Sequence, residues 1–152
     1  MDGTSRVVLH STGLSTVYGL TLDYESQILY WADYSNNRIE KSLTDGSNRV
    51  VLTSSGIADP FGLTFYAGNL YWTDWSEHRI YTLSVDSPSV ISQVTSNFGQ
   101  DLYGIHVVTE QRQPICNSYH CLIANLLLIF MPHPCMQLVM TVWREIVVIF
   151  VC

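Results

Sequence analysis

Apolar residues in the first 115 positions come in short runs and never hold the three-and-four spacing of a helix over three turns. Runs at 18–22, 28–32, 38–43 and 49–52 are rich in β-branched and aromatic residues, with turn residues between them. That pattern predicts four consecutive strands. The same succession returns at 62–66, 69–73, 79–84 and 90–94. Asp45-Gly46 offers the positive φ a tight hairpin needs, and Ser35-Asn36-Asn37 does so between the second and third strands. Asp86-Ser87-Pro88-Ser89 stands where the second copy would have its Asp-Gly, which predicts a looser connection there. The chain reads as all-β.

The two sets of strands are copies. Tyr30-Trp31-Ala32-Asp33 and Tyr71-Trp72-Thr73-Asp74 lie 41 residues apart. Gly-Leu-Thr precedes each, from Gly19 and from Gly62, and Arg-Ile follows each, at Arg38-Ile39 and Arg79-Ile80. Asp2-Gly3-Thr4-Ser5-Arg6-Val7-Val8-Leu9 recurs as Asp45-Gly46-Ser47-Asn48-Arg49-Val50-Val51-Leu52. Tyr103-Gly104-Ile105-His106-Val107 opens a further unit. The loop Asp23-Tyr24-Glu25-Ser26-Gln27 shortens to Tyr66-Ala67-Gly68 in the second copy, as hairpin loops tolerate. A period near 40–45 residues with four strands per unit predicts propeller blades. Propellers close with about four to eight blades. Two and a half units therefore predict a partial propeller, from a fragment or a truncated gene model.

Alternation along a strand puts Tyr30 and Ala32 on one face and Trp31 and Asp33 on the other. Trp31 and Trp72 are expected between neighbouring blades, where burying roughly 150–250 Å² each contributes a gross ~4–6 kcal/mol. Strand ordering opposes most of that gain. Asp33 and Asp74 end their strands and are expected to brace the blade, accepting hydrogen bonds from turn N–H groups and from Arg38 or Arg79. Tyr30, Trp31, Asp33, Arg38, Tyr71, Trp72, Asp74 and Arg79 are thus read as structural.

Composition divides the chain. Residues 1–115 carry twelve of the thirteen acids and six of the seven Lys/Arg, for a net charge of −6. Residues 116–152 carry all four cysteines, Cys116, Cys121, Cys135 and Cys152, and just two charges, Arg144 and Glu145. The domain boundary is placed after Pro114, giving a partial propeller at 1–114 and a hydrophobic cysteine-containing tail at 115–152 that is expected to be disordered or spurious. Two blades with open faces predict that 1–114 alone is insoluble. An acidic propeller without a Lys/Arg cluster does not suit nucleic acid or an anionic membrane surface. The apolar pieces 122–131 and 136–152 are both shorter than the about 20 residues of a spanning helix, the second being broken by Arg144-Glu145.

The Tyr-Trp-x-Asp strings with Gly-Leu-Thr ahead and Arg-Ile behind resemble the YWTD, or class B, repeats of low-density lipoprotein receptor relatives. Asp59-Pro60-Phe61-Gly62-Leu63 fits the same pattern. The resemblance covers residues 1–114. It implies a six-bladed propeller in the extracellular region of a membrane-anchored receptor of the cell surface and endosomes. It also implies an EGF-like neighbour and a role in protein ligand binding, uptake, release or signalling. Cys116 stands where an EGF-like module would begin, but the six-cysteine spacing does not follow. An alternative within the resemblance is a matrix scaffold of nidogen type that binds laminin.

Exposed residues that loops would present are Asn36, Asn37, Trp75, Glu77 and His78, the candidate ligand-binding set, with Trp75 either an interface anchor or packed on the next blade. His10, His78 and His106 read as ordinary surface or loop histidines. Cys116, His120, Cys121, His133 and Cys135 lack the paired spacing of a zinc site. Nucleophile elbows, metalloprotease motifs and nucleotide loops are absent from the sequence. The inner strands offer Thr21 and Thr64 in place of convergent acids, so a propeller hydrolase or lactonase is not expected. The reading is a non-enzymatic module with no cofactor and no metal.

Overall fold

The computed structural model describes residues 6–108, 136–142 and 145–151. Blade 1 is a four-stranded antiparallel sheet of β1 (Val17–Asp23), β2 (Ile28–Asp33), β3 (Arg38–Leu43) and β4 (Val50–Thr53), in that order. Blade 2 repeats it with β5 (Pro60–Tyr66), β6 (Asn69–Asp74), β7 (Arg79–Ser84) and β8 (Ile91–Gln93). β9 (Gly104–Val108) opens a third unit. It pairs with β11 (Glu145–Val151), which pairs in turn with β10 (Met136–Val142). Two meandering blades and the inner strand of a third make a partial propeller.

The connections follow the turn chemistry. A single 3-10 turn, Tyr34–Asn36, joins β2 to β3 and closes on Asn37 at φ 48°. Gly46 at φ 86° turns β3 toward β4. The shortened loop of blade 2 is Ala67-Gly68, with φ 46° and 77°, the two positive angles of a tight hairpin. The last strand of blade 2 is short, three residues in place of the five at 90–94, and the turn at Ser87 is held by Ser87 N–H to the Ser84 carbonyl.

Glycine in the Gly-Leu-Thr motif lets the inner strands pass one another closely. A Cβ on Gly19 would lie 2.6 Å from the Phe61 carbonyl oxygen, and one on Gly62 would lie 2.5 Å from that of Tyr103. Thr21 Oγ1 accepts the Phe65 N–H at 3.1 Å, tying β1 to β5. Thr73 Oγ1 accepts the Gly62 N–H at 2.9 Å and donates to the Tyr103 carbonyl at 3.0 Å, tying β5, β6 and β9 together. Ala32 occupies the matching place in blade 1 and has no hydroxyl for such a bridge.

Alternation then sorts the core. Tyr30, Ala32 and Ile39 of blade 1 face Leu63, Leu70, Trp72 and Leu83 of blade 2, with Tyr30 stacked on Phe65 at 5.5 Å. The other face of blade 2 packs Tyr66, Tyr71 and Ile80 against Leu102, Ile105 and Val107. Trp72 therefore lies between two blades. Trp31 does not. It is buried on the outer face of blade 1, under His10 at 5.1 Å and the Arg49 guanidinium at 5.4 Å, because no described sheet packs on that side. This corrects the expectation of two equivalent inter-blade tryptophans.

The Gln113-Pro114 boundary, Cys116, His120, Cys121, His133, Cys135 and Cys152 lie outside the described residues, as does the 122–131 run. Among the described residues no helix is long and apolar enough to cross a membrane.

Candidate functional site, an aromatic cluster at one end of the blades

The two acids that end the Tyr-Trp strands organise the loops around them. Asp33 is fully buried and accepts the N–H groups of Ser15 at 3.1 Å and Thr16 at 3.2 Å. It also accepts the Asn36 side-chain amide at 2.7 Å and lies 3.7 Å from Arg38. Asp74, equally buried, accepts the N–H groups of Ala58 and Asp59 at 3.2 Å and of Glu77 at 3.0 Å, and the Ser76 hydroxyl at 3.2 Å. These bonds satisfy donors that would otherwise be stranded in the loops leading into the inner strands. Arg79 takes Glu77 at 3.4 Å as its acid, where Arg38 reaches both Asp33 and Glu40.

With the loops fixed, five rings from three units converge. Tyr18, Phe61 and Tyr103 each stand immediately before an inner-strand glycine, and Tyr34 and Trp75 each stand immediately after a buried Asp. Tyr18 stacks on Phe61 at 4.3 Å, and Phe61 meets Tyr103 edge-on at 5.5 Å. Trp75 lies 6.0 Å from Tyr34, 6.1 Å from Phe61 and 6.2 Å from Tyr103. Tyr34 closes on Tyr18 at 5.3 Å. Backbone bonds seat the outer pair, Tyr34 N–H on the Thr16 carbonyl and Trp75 N–H on that of Asp59. Tyr18 is 53% exposed, and the other four rings are half-buried. Burial, with Asp59 nearby, pushes the Tyr34 phenol above its ordinary pKa. Asp59 and Asp101 each stand two residues ahead of a cluster ring in sequence, and the charge of Asp59 reaches the Tyr34 phenol.

The structure separates the candidate ligand-binding residues. Trp75 belongs to the cluster. Asn36 is committed to Asp33, and Asn37 holds the left-handed end of its turn. Glu77 accepts the Tyr81 hydroxyl and pairs with Arg79. His78 adopts φ 53° and places Nδ1 3.4 Å from Asp101. Tyr18, Tyr34, Phe61 and Tyr103 were missed, although an aromatic residue before each inner-strand glycine is a periodic signal in its own right. Among the described residues no group of three or more His, Cys, Asp or Glu side chains converges to hold a metal.

Comparison with known proteins places this geometry. The model of the low-density lipoprotein receptor repeat class B matches residues 27–66. Low-density lipoprotein receptor-related protein 5 of Homo sapiens is 34% identical over 80 residues, covering 53% of this chain and 5% of that protein. The vitellogenin receptor of Solenopsis invicta is 33% identical over 82 residues, covering 54% and 5%. The chain thus spans about one-twentieth of the length of the curated relatives it matches. Among solved structures, a nidogen/laminin complex contains a chain 34% identical, with a TM-score of 0.63, covering 68% of this chain and 40% of that one. A luciferin-regenerating enzyme, 19% identical with a TM-score of 0.54, shares the fold alone. Residues 27–66 match the low-density lipoprotein receptor class B repeat, and the second blade repeats its Tyr-Trp-x-Asp strand and flanking motifs.

Proposed function

We propose that this chain is a non-enzymatic protein-interaction module from the extracellular region of a lipoprotein-receptor-related receptor, serving ligand binding and release. The observation that carries the reading is the five-ring cluster, which three successive units build at one end of the blades. Rings held on a rigid scaffold and partly open to solvent give large contact area at small entropic cost, and Tyr and Trp are over-represented among interface anchors. Asp59 beside Tyr34 and the net charge of −6 favour a ligand that presents apolar side chains beside basic ones. In the parent protein, an EGF-like module and a membrane anchor would accompany the propeller, with exposure at the cell surface and in endosomes.

The test is selection of displayed peptides on the full chain, followed by binding to Tyr18→Ser and Trp75→Ala. The expected result is a tenfold or greater loss of affinity in both variants, equivalent to about 1.4 kcal/mol or more. Tyr18→Ser serves as the safer variant because that ring is the most exposed. Peptides that bind both variants as well as the parent would refute the site.

The similarity to a chain of the nidogen/laminin complex favours a second reading, a matrix scaffold. Laminin binding by the full chain that is lost in Tyr18→Ser would support that reading over the receptor one.

A further inference from the structure

We infer that β9, β10 and β11 form a surrogate third blade, in which a strand of non-repeat sequence occupies the place of the Tyr-Trp strand. The register supports this substitution. In blade 1 the inner strand pairs Leu20 with Trp31, Thr21 with Tyr30 and Leu22 with Leu29. In blade 2 the corresponding pairs are Leu63 with Trp72, Thr64 with Tyr71 and Phe65 with Leu70. β9 is the third inner strand, with Gly104 matching Gly62. It pairs Ile105 with Ile149, His106 with Val148 and Val107 with Val147. Ile149 therefore holds the register position of Trp72, Val148 that of Tyr71 and Val147 that of Leu70. β11 runs antiparallel to its inner strand, as β2 and β6 do, and β10 takes the outer place held by β3 and β7.

The path of the chain separates this sheet from a true repeat. In blades 1 and 2 the chain goes from inner to middle to outer strand, whereas here it goes from β9 to the outer β10 and then back to the middle β11. A degenerate repeat would keep the repeat order. The hairpin instead reaches the same pairing from the opposite side.

Physical reasons favour the pairing. Without it, β9 would present a row of unpaired N–H and C=O groups along its outer edge. Ile146-Val147-Val148-Ile149-Phe150 is a run of β-branched and aromatic residues, suited to a strand paired on both sides. The hairpin acts as a cap in the sense of repeat arrays, giving the third unit three of a blade's four strands without a further repeat.

Hydrogen exchange read by mass spectrometry on the full chain tests this. Amides of 104–108 and 146–150 should exchange together and slowly, and Val148→Pro should speed both by roughly tenfold or more while 28–33 and 69–74 stay protected. Unprotected exchange at 146–150 in the unsubstituted chain would overturn the inference. So would protection at 104–108 that is unaltered by Val148→Pro. Should the substitution open blade 1 as well, the result on the unsubstituted chain decides.

Discussion

Blade 1 and blade 2 share strand order, register and motif, yet they surround their tryptophans with different chemistry. Trp31 pairs across the ladder with Glu40, and Trp72 with Tyr81. On the outer face of blade 1, buried Glu40 binds Arg38 at 3.0 Å and Arg49 at 2.9 Å, and Arg49 covers the Trp31 ring. The bond to Glu40 raises the Arg49 pKa further, so that cation is permanent. Between the blades, Tyr81 stacks on Trp72 at 5.7 Å and no ion pair is needed. A repeat thus fixes where a residue stands, and the neighbour fixes what it meets. The outer face also retains an open apolar cavity of about 320 Å³ lined by Val8, Leu14, Val17, Leu20 and Leu29 beside Trp31, with Leu20 62% exposed.

The sharpest way to break this contrast is to remove each tryptophan. Trp72→Ala empties a site enclosed on both sides and should cost about 4 kcal/mol. Trp31→Ala opens onto a cavity that water already reaches and should cost roughly half as much, since solvent can enter in place of a void. Urea unfolding of the two variants measures the difference. Equal losses would mean that the outer face is as tightly closed as the inner one.

The acids sharpen the comparison at smaller magnitude. Asp74→Ala strands three backbone N–H groups in half-buried loops, those of Ala58, Asp59 and Glu77, and should cost about 3 kcal/mol. Asp33→Ala strands two, and Ser15 is exposed to water that can replace the carboxylate, so about 1–2 kcal/mol is expected. In the receptor proposed above, Asp74→Ala should appear as retention and misfolding, with normal binding by whatever fraction reaches the surface. The assay is surface yield beside ligand binding per surface molecule.

Local chemistry made most of the blades readable. Asn37, Gly46 and Gly68 announce left-handed turns, and the Tyr-Trp strings fix strand faces by alternation alone. The faces could be read, but not what covers them. Trp31 is covered by His10 and Arg49, which come from different segments, and nothing in the repeat specifies that meeting. The aromatic cluster was half-visible. Trp75 stood out as a large residue beyond a strand end, while Tyr18, Phe61 and Tyr103 were hidden within a motif valued for its glycine. Pairing of β9 with β11 joins segments about 40 residues apart without repeat similarity, so no sequence signal pointed to it.

The effect that vanishes at neutral pH, and is smallest there, concerns protons at the blade interface. Burial, reinforced by Asp23 and Asp86, pushes the Tyr30 phenol up to about 12 from an ordinary 10.0. A raised pKa in the folded state means that the unfolded chain loses this proton first as pH climbs. The contribution of Tyr30 is therefore complete below pH 10 and is lost as pH rises from 10.0 toward about 12. At about 1.4 kcal/mol per unit, the loss is at most ~3 kcal/mol, and at pH 10.5 it is about 0.8 kcal/mol. Tyr81 on blade 2 shifts the same way, through burial and its bond to Glu77. Tyr30→Phe should flatten the fall in stability above pH 10 without altering it near neutrality, a difference that phenolate absorbance and urea midpoints across that range would record. An unchanged alkaline slope would mean that Tyr30 ionises as freely in the folded chain as in water, and that the blade interface is open where the stacking of Tyr30 on Phe65 says it is closed.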